Sequence, residues 1–123
     1  MRPHGAVLAW VKSVDHRQLR LSAVSLGEIQ AGIELTRDQD PLRAAEIERW
    51  ADEVARTYEV IPMDTEVCRT WAKLMHGRSD TLADDARIAA TAMVHSLTVV
   101  TRNVRDFQPF GVLTLNPFQQ AKR

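Results

Sequence analysis

Residues 84–101, DDARIAATAMVHSLTVVT, contain the pattern that decides the fold. Asp85 opens an apolar stripe of small residues at positions i, i+3, i+4 and i+7, which predicts one face of a helix. Either Asp84 or Asp85 is expected to cap this helix, which should end near His95. The largely apolar run at 97–101 is typical of a strand in a sheet covered on both faces. A helix that leads into such a strand favours an α/β fold.

Working outward from this stretch, helices and strands alternate along the chain. The predicted elements are a short helix at 6–14, a strand at 19–24, a helix opened by Ser25, a polar loop at 36–40, a helix opened by Pro41, a strand at 59–63, a helix capped by Asp64, a loop or helical turn at 103–110 and a strand at 112–115. Strands separated by helices imply right-handed crossovers and a largely parallel sheet. In such sheets the functional crevice lies beyond the carboxyl ends of the strands.

Composition narrows the classes of protein that fit. The 123 residues suffice for one domain, so we expect a single domain over 1–123. Sixteen basic residues balance sixteen acidic ones, which excludes a protein held on nucleic acid by bulk positive charge. The single cysteine, Cys68, excludes a disulfide framework and is expected to be a small core residue. The apolar runs are far shorter than the roughly 20 residues of a membrane span, so we expect a cytoplasmic protein.

Acidic side chains follow the predicted strands and are the candidates for chemistry. Glu28 lies one helical turn after the first strand, Asp85 heads the inward stripe, and Asn103 and Asp106 follow the 97–101 strand. Carboxylates that converge at strand ends suit Mg²⁺ or Mn²⁺, which can activate water in phosphodiester cleavage. Each residue also has a purely structural explanation: Glu28 as the partner of Ser25 in a capping box, Asp85 as a helix cap and Asp106 as a turn residue.

Four segments carry a resemblance to a known family. LSAVSLGE at 21–28, DARIAATA at 85–92, LTVVTRNVRDF at 97–107 and LNPF at 115–118 closely resemble the blocks of PIN-domain toxins of the VapC type, in particular the FitB-like branch. The resemblance spans nearly the whole chain, and the first three of these segments, in the same order and spacing as in the family, are highly specific; LNPF resembles the tail of that branch.

The resemblance implies a three-layer PIN-like fold, with a mostly parallel sheet flanked by helices. It implies a Mg²⁺- or Mn²⁺-dependent endoribonuclease, the toxin of a type II toxin–antitoxin system, which is held inactive by a cognate antitoxin and dimerises. Glu28 then corresponds to the family's second acidic residue and Asp85 to the third. The fourth acidic position falls at Asn103 or Asp106, and Asp106 is the choice for a metal ligand because Asn103 is neutral.

One departure from the family's pattern affects the expected activity. The family begins with a strand of the form Leu-Leu-Asp-Thr-Asn-Val, whereas this sequence starts at Met1-Arg2-Pro3-His4, just downstream of that block. We therefore expect the first, central strand and the first metal-binding Asp to be missing. A site without its first ligand is expected to cleave RNA slowly or not at all.

Three hypotheses from different classes follow. The first is the metal-dependent ribonuclease toxin, and the second is a truncated PIN-like protein that only binds an antitoxin or dimerises. The third is a plain α/β protein without an active site. Apolar helical surface with Trp10 and Trp50 as anchors is expected to form the dimer or partner interface.

Overall fold

The computed structural model describes residues 13–118, which fall into two compact units: residues 15–62 form the first, and residues 13–14 and 63–118 form the second. The predicted helix at 6–14 and Trp10 lie outside the described residues, except for the last two residues of that helix. The described strands form two parallel pairs rather than one continuous sheet. Parallel strands joined through helices confirm the α/β class. Within the described residues no helix is both long and apolar enough to cross a membrane.

The first unit is a helical hairpin between two paired strands. Its elements are a 3-10 helix at His16–Gln18, β1 (Arg20–Ser22), α1 (Ala23–Gln39), α2 (Pro41–Thr57) and β2 (Glu59–Ile61). The strands β1 and β2 pair in parallel, with Leu21 opposite Val60. Pro41 occupies the first position of α2, as predicted, since its missing N–H is not needed there.

The start of α1 differs from the prediction. The helix begins at Ala23 and not at Ser25, because the Ser22 hydroxyl accepts a hydrogen bond from the Val24 amide at 3.1 Å and caps it. The strand predicted at 19–24 is therefore cut to three residues. Ser25 lies inside the first turn, so the Ser25–Glu28 capping box was wrong and Glu28 is a mid-helix residue.

The predicted loop at 36–40 is also wrong, because α1 continues to Gln39. Asp40 alone connects the two helices. Its backbone N–H donates to the Thr36 carbonyl at 2.7 Å and closes α1, while its carboxylate accepts from the Arg43 amide at 3.1 Å and opens α2. One residue thus provides both caps.

Small apolar residues form the seam of the hairpin. Ile33 of α1 is buried together with Ala44 and Ala51 of α2, and Ile29 and Ile47 pack around them. Alanine at these positions lets the two helix backbones approach closely. Trp50, which the periodicity of α2 placed on the apolar face, is 43% exposed.

The second unit contains the segment that decided the fold. Its elements are α3 (Thr65–Met75), a 3-10 helix at Asp80–Leu82, α4 (Ala83–His95), β3 (Val99–Val100), a 3-10 helix at Val104–Phe110 and β4 (Thr114–Leu115). Asp64 caps α3 as predicted, accepting from the Val67 amide at 3.0 Å. The cap position of α4 is Leu82, so the prediction that Asp84 or Asp85 caps this helix was wrong.

The core of the second unit joins α4 to the segments that follow it. Ala86, Ala89 and Ala92 of α4 pack against Val99, and Phe107 and Phe110 complete the cluster. The predicted strand at 97–101 is only two residues long, and Val100 is 41% exposed, so its two faces are not both covered within this unit. Cys68 is exposed rather than part of the core.

Candidate functional site

Asp85 lies in the first turn of α4, partly buried, on the stripe that the sequence predicted. Ala89, one turn further along this stripe, is completely buried, and Ala92 is almost so. The stripe therefore faces inward, and the Asp85 carboxylate at its start is partly removed from water. The amino-terminal end of a helix stabilises negative charge, so this is a position where a carboxylate can stay ionised despite partial burial.

The charge of Asp106 acts directly on Asp85. Burial raises the pKa of the Asp85 carboxyl, and the negative charges of Asp106 and then Asp84 raise this pKa further. Two of the predicted site residues are thus close enough to repel each other. Asp84 differs from them because it forms an ion pair with Arg87 at 2.5 Å.

The 3-10 helix at Val104–Phe110 places Asp106. Phe107 and Phe110 are buried in the core of the second unit, and they anchor one side of this short helix. Asp106 is exposed on the helix, and its backbone N–H donates to the Asn103 carbonyl at 3.0 Å. Two buried aromatic anchors therefore fix a short segment that carries an exposed carboxylate.

Asn103 occupies the cap position of this 3-10 helix and is exposed. Its backbone N–H donates to the Thr101 hydroxyl at 3.0 Å. The Asn103 side chain does not form the capping hydrogen bond of the 3-10 helix. Its amide group is thus not needed to start the helix.

Glu28 belongs to the first unit, where it is exposed on α1. It lines a groove of about 440 Å³ whose other walls are mostly apolar: Ser25, Ile29, Gly32, Ile33, Thr36 and Ile47. The prediction that Glu28 joins Asp85 and Asp106 in one acidic pocket stays a prediction.

A divalent cation such as Mg²⁺ needs several oxygen ligands at one place. Between residues 13 and 118, no three His, Cys, Asp or Glu side chains form a group that could hold a metal ion. Asp85 and Asp106 supply hard oxygen donors, and their mutual repulsion is what a bound cation would relieve. Carboxylate oxygens of this kind are the ligands that Mg²⁺ and Mn²⁺ prefer.

With this geometry in view, comparison with known proteins identifies the family. The family model for the PIN domain matches residues 2–110. The chain belongs to the PIN-domain family.

Curated relatives of this PIN domain cover nearly the whole chain. It is 30% identical to "Toxin FitB" of Neisseria gonorrhoeae over 95% of this chain and 88% of that protein. It is 32% identical to "VapC ribonuclease Y4jK" of Sinorhizobium fredii over 97% and 89%. "Plasmid stability protein StbB" of Pseudomonas syringae is 31% identical over 95% and 88%.

Solved structures are similar over the same span. The crystal structure of FitAcB from Neisseria gonorrhoeae matches with a TM-score of 0.81 and 30% identity, covering 95% of this chain and 88% of that one. FitAB bound to an IR36 DNA fragment gives 0.78 at 28% identity, with 95% and 87% covered. VapBC-1 from nontypeable Haemophilus influenzae gives 0.72 at 17% identity, with 94% and 87% covered, and this likeness concerns the fold alone.

The contacts that two side chains of this PIN domain make at the start of α4 were not found from the sequence. The Trp71 indole N–H of α3 donates to the Ala83 carbonyl at 3.1 Å, and Arg87 stacks on the same ring at 4.7 Å. These contacts hold the start of α4, where Asp85 lies. The helical spacing of Trp71 indicated an apolar face, and nothing in that spacing points to a carbonyl twelve residues away.

Proposed function

We propose that this PIN domain is the toxin of a type II toxin–antitoxin system and a Mg²⁺- or Mn²⁺-dependent endoribonuclease. The observation that carries the proposal is a pair of carboxylates whose charges repel each other: Asp85 in the first turn of α4 and Asp106 in the Val104–Phe110 helix. Carboxylates whose pKa is shifted by burial and by a neighbouring charge are found more often at functional sites. The relatives named as a toxin, a ribonuclease and a plasmid stability protein support the same assignment.

Asp85 and Asp106 would hold the ion, and Glu28 is proposed as a third ligand. A bound divalent ion supplies an acidic water and neutralises charge on the phosphodiester group. Asp85 contributes a carboxylate that its burial makes less well hydrated, so it has more to gain from a cation than an exposed Asp. The Asn103 amide, which can both donate and accept, is proposed to orient a phosphate or ribose oxygen beside Asp106.

The core of the second unit keeps these groups in position during the reaction. Ala86 and Ala89 of α4 and Phe107 of the 3-10 helix are buried in one cluster. Asp85 and Asp106 therefore belong to elements that pack against each other. Rigid support of this kind matters because a misplacement of about 1 Å can slow a reaction roughly 10²-fold.

The matching family model includes residues of both units, and we propose that they make up one PIN domain over 1–123. The protein would act in the cytoplasm, where its RNA substrate is found. Its proposed partners are RNA, a cognate antitoxin and a second copy of itself. The likeness to the FitAcB and FitAB structures supports the antitoxin partner.

The alternative is a PIN-like protein that binds an antitoxin or dimerises without cleaving RNA. Exposed apolar side chains on the helical hairpin favour a binding surface: Leu42 is 80% exposed, and Leu35 and Trp50 are also exposed. Light scattering checks the dimer. A monomer at high concentration would contradict the homodimer but not the nuclease.

The experiment that tests the proposal measures cleavage of a fluorogenic RNA with Mg²⁺ or Mn²⁺ and with EDTA. We expect the protein to cleave RNA when Mg²⁺ or Mn²⁺ is present and not when EDTA removes the metal. Asp85→Asn should abolish cleavage, because it keeps the shape of the side chain and removes its charge. Asp52→Asn, at an exposed position on α2, is the control and should cleave normally. Cleavage in EDTA, or full activity of Asp85→Asn, would show that the metal mechanism is wrong.

A further inference from the structure

Arg78 connects two segments of the second unit that are far apart in sequence. Its Nε donates to the Leu74 carbonyl at 2.8 Å, and its Nη2 donates to the Pro109 carbonyl at 3.0 Å. The guanidinium also lies over the Phe110 ring, 5.1 Å from the centroid. One planar group thus contacts α3 and the 3-10 helix at Val104–Phe110.

The local backbone explains why Arg78 reaches the end of α3. The last carbonyls of a helix lack partners within the helix, and Leu74 is in the last turn of α3. Gly77 then takes a positive φ of 77°, which glycine adopts without strain, and reverses the chain. The turn brings the Arg78 side chain back over the helix end, where it satisfies the Leu74 carbonyl.

The second contact bears on the proposed site. Pro109 is near the end of the 3-10 helix whose first turn contains Asp106. Phe107 and Phe110 hold the buried side of that helix, whereas Arg78 holds its exposed end through the Pro109 carbonyl and the Phe110 ring. The position of Asp106 relative to Asp85 depends on how this short helix is fixed on α4.

We infer that Arg78 is a positioning residue for the nuclease site, which it serves by clamping the Val104–Phe110 helix so that Asp106 stays beside Asp85. This inference rests on the proposed function, because it assigns the clamp to the same carboxylate pair. Arginine suits the task, since its rigid fork offers donors in two directions while its face stacks on an aromatic ring. A lysine at position 78 would keep the charge but could not reproduce both hydrogen bonds and the stacking together.

The test compares Arg78→Met and Arg78→Lys with the wild-type protein. Arg69→Met, at an exposed position on α3, is the matched control. Amide hydrogen exchange measures directly how firmly the 3-10 helix is held. The Asp106 amide donates to the Asn103 carbonyl within this helix, and the Gly111 amide donates to the Gln108 carbonyl at its end. We expect Arg78→Met to speed exchange in this helix without changing exchange at the centre of α4.

Metal binding and kinetics provide the functional readouts. Arg78→Met should weaken Mn²⁺ binding severalfold and lower kcat about tenfold, within the roughly 10²-fold that a 1 Å misplacement can cost, with the KM for RNA nearly unchanged. Arg78→Lys should recover part of each loss, and Arg69→Met should behave like the wild type. Equal losses in kcat and exchange protection throughout the second unit would instead indicate general destabilisation and overturn the inference.

The two proposals can fail separately, because hydrogen exchange needs neither metal nor RNA. A wild-type protein that neither binds Mn²⁺ nor cleaves RNA overturns the proposed nuclease. Selective fast exchange in the Val104–Phe110 helix of Arg78→Met would still support the clamp. Unchanged exchange in that helix overturns the clamp whatever the nuclease assay shows.

Discussion

The pKa values of carboxylates are shifted in opposite directions in the two units of this PIN domain. In the helical hairpin, hydrogen bonds from Arg37 and then Gln30 lower the pKa of Glu34, and hydrogen bonds from Gln30 and then Arg37 lower the pKa of Glu48. In the second unit, burial and the charge of Asp106 raise the pKa of Asp85. The first arrangement stabilises the fold, whereas the second opposes it. Carboxylates kept at the expense of stability are those expected to do chemistry.

The largest expected effect is on catalysis by the second unit. Asp85→Asn should lower RNA cleavage at least about a hundredfold, in the range measured when a single charge-stabilising group is removed from an active site. Asp84→Asn removes the neighbouring carboxylate, which is paired with Arg87, and should lower cleavage much less. Equal losses in the two variants would mean that charge in this region, and not Asp85 itself, supports the reaction.

Metal binding should stabilise the wild-type protein against unfolding and should not stabilise Asp85→Asn. A ligand at ten times its Kd stabilises the native state by about 1.4 kcal/mol. Mn²⁺ should therefore raise the Tm of the wild-type protein in differential scanning fluorimetry, and Asp85→Asn should lose most of this rise. A similar rise in both proteins would place the metal elsewhere.

The pH dependence of stability should have opposite signs in the two units. Asp85 has a folded-state pKa above its unfolded value, so its contribution favours the fold at low pH and is lost as the pH rises through the folded pKa. Without metal, Asp85→Asn should thus be more stable than the wild type at pH 7, and the difference should shrink on acidification. Thermal unfolding of both proteins between pH 4 and pH 7 measures this difference in stability. A difference that grows as the pH falls would contradict the expected pH dependence.

The smallest effect is expected in the hairpin. Glu34 and Glu48 have lowered pKa values in the folded state. Their ionised carboxylates therefore stabilise the fold at pH values above the unfolded pKa, and this stabilisation is lost as the pH falls through the folded pKa. Arg37→Met should lower the Tm by a few degrees at neutral pH, and by less in acid or high salt. Arg56→Met breaks an exposed pair with Glu53 and should change the Tm very little.

Periodicity predicted the helical parts of this molecule well. The extent of α2 and α4 and the inward stripe headed by Asp85 follow from the spacing of apolar residues, and Pro41 and Asp64 have clear positional preferences. The family of the chain was also evident from short blocks, since they contain the residues that the fold needs near its site. The roles of Glu28, Asp85, Asn103 and Asp106 in catalysis remain predictions.

Element boundaries were predicted less well, for a physical reason. Ser22 and Ser25 are equally good caps in sequence, and only the path of the strand before them selects Ser22. The loop predicted before Pro41 was replaced by helix because Asp40 can close one helix and open the next. The contact between Arg78 and Pro109 joins residues 31 positions apart, and no local pattern could have indicated it.

The single-residue connection at Asp40 has a consequence for the order of folding. The hairpin gains its buried seam from residues close together in the chain, and local contacts of this kind form quickly. Because residues 15–62 are synthesised before the rest of the second unit, we expect the hairpin to be compact before Asp106 has been translated. Nascent chains stalled once residue 62 has left the ribosome should already protect the hairpin from protease. The repelling pair of carboxylates would then be assembled last, onto a chain that already contains folded structure.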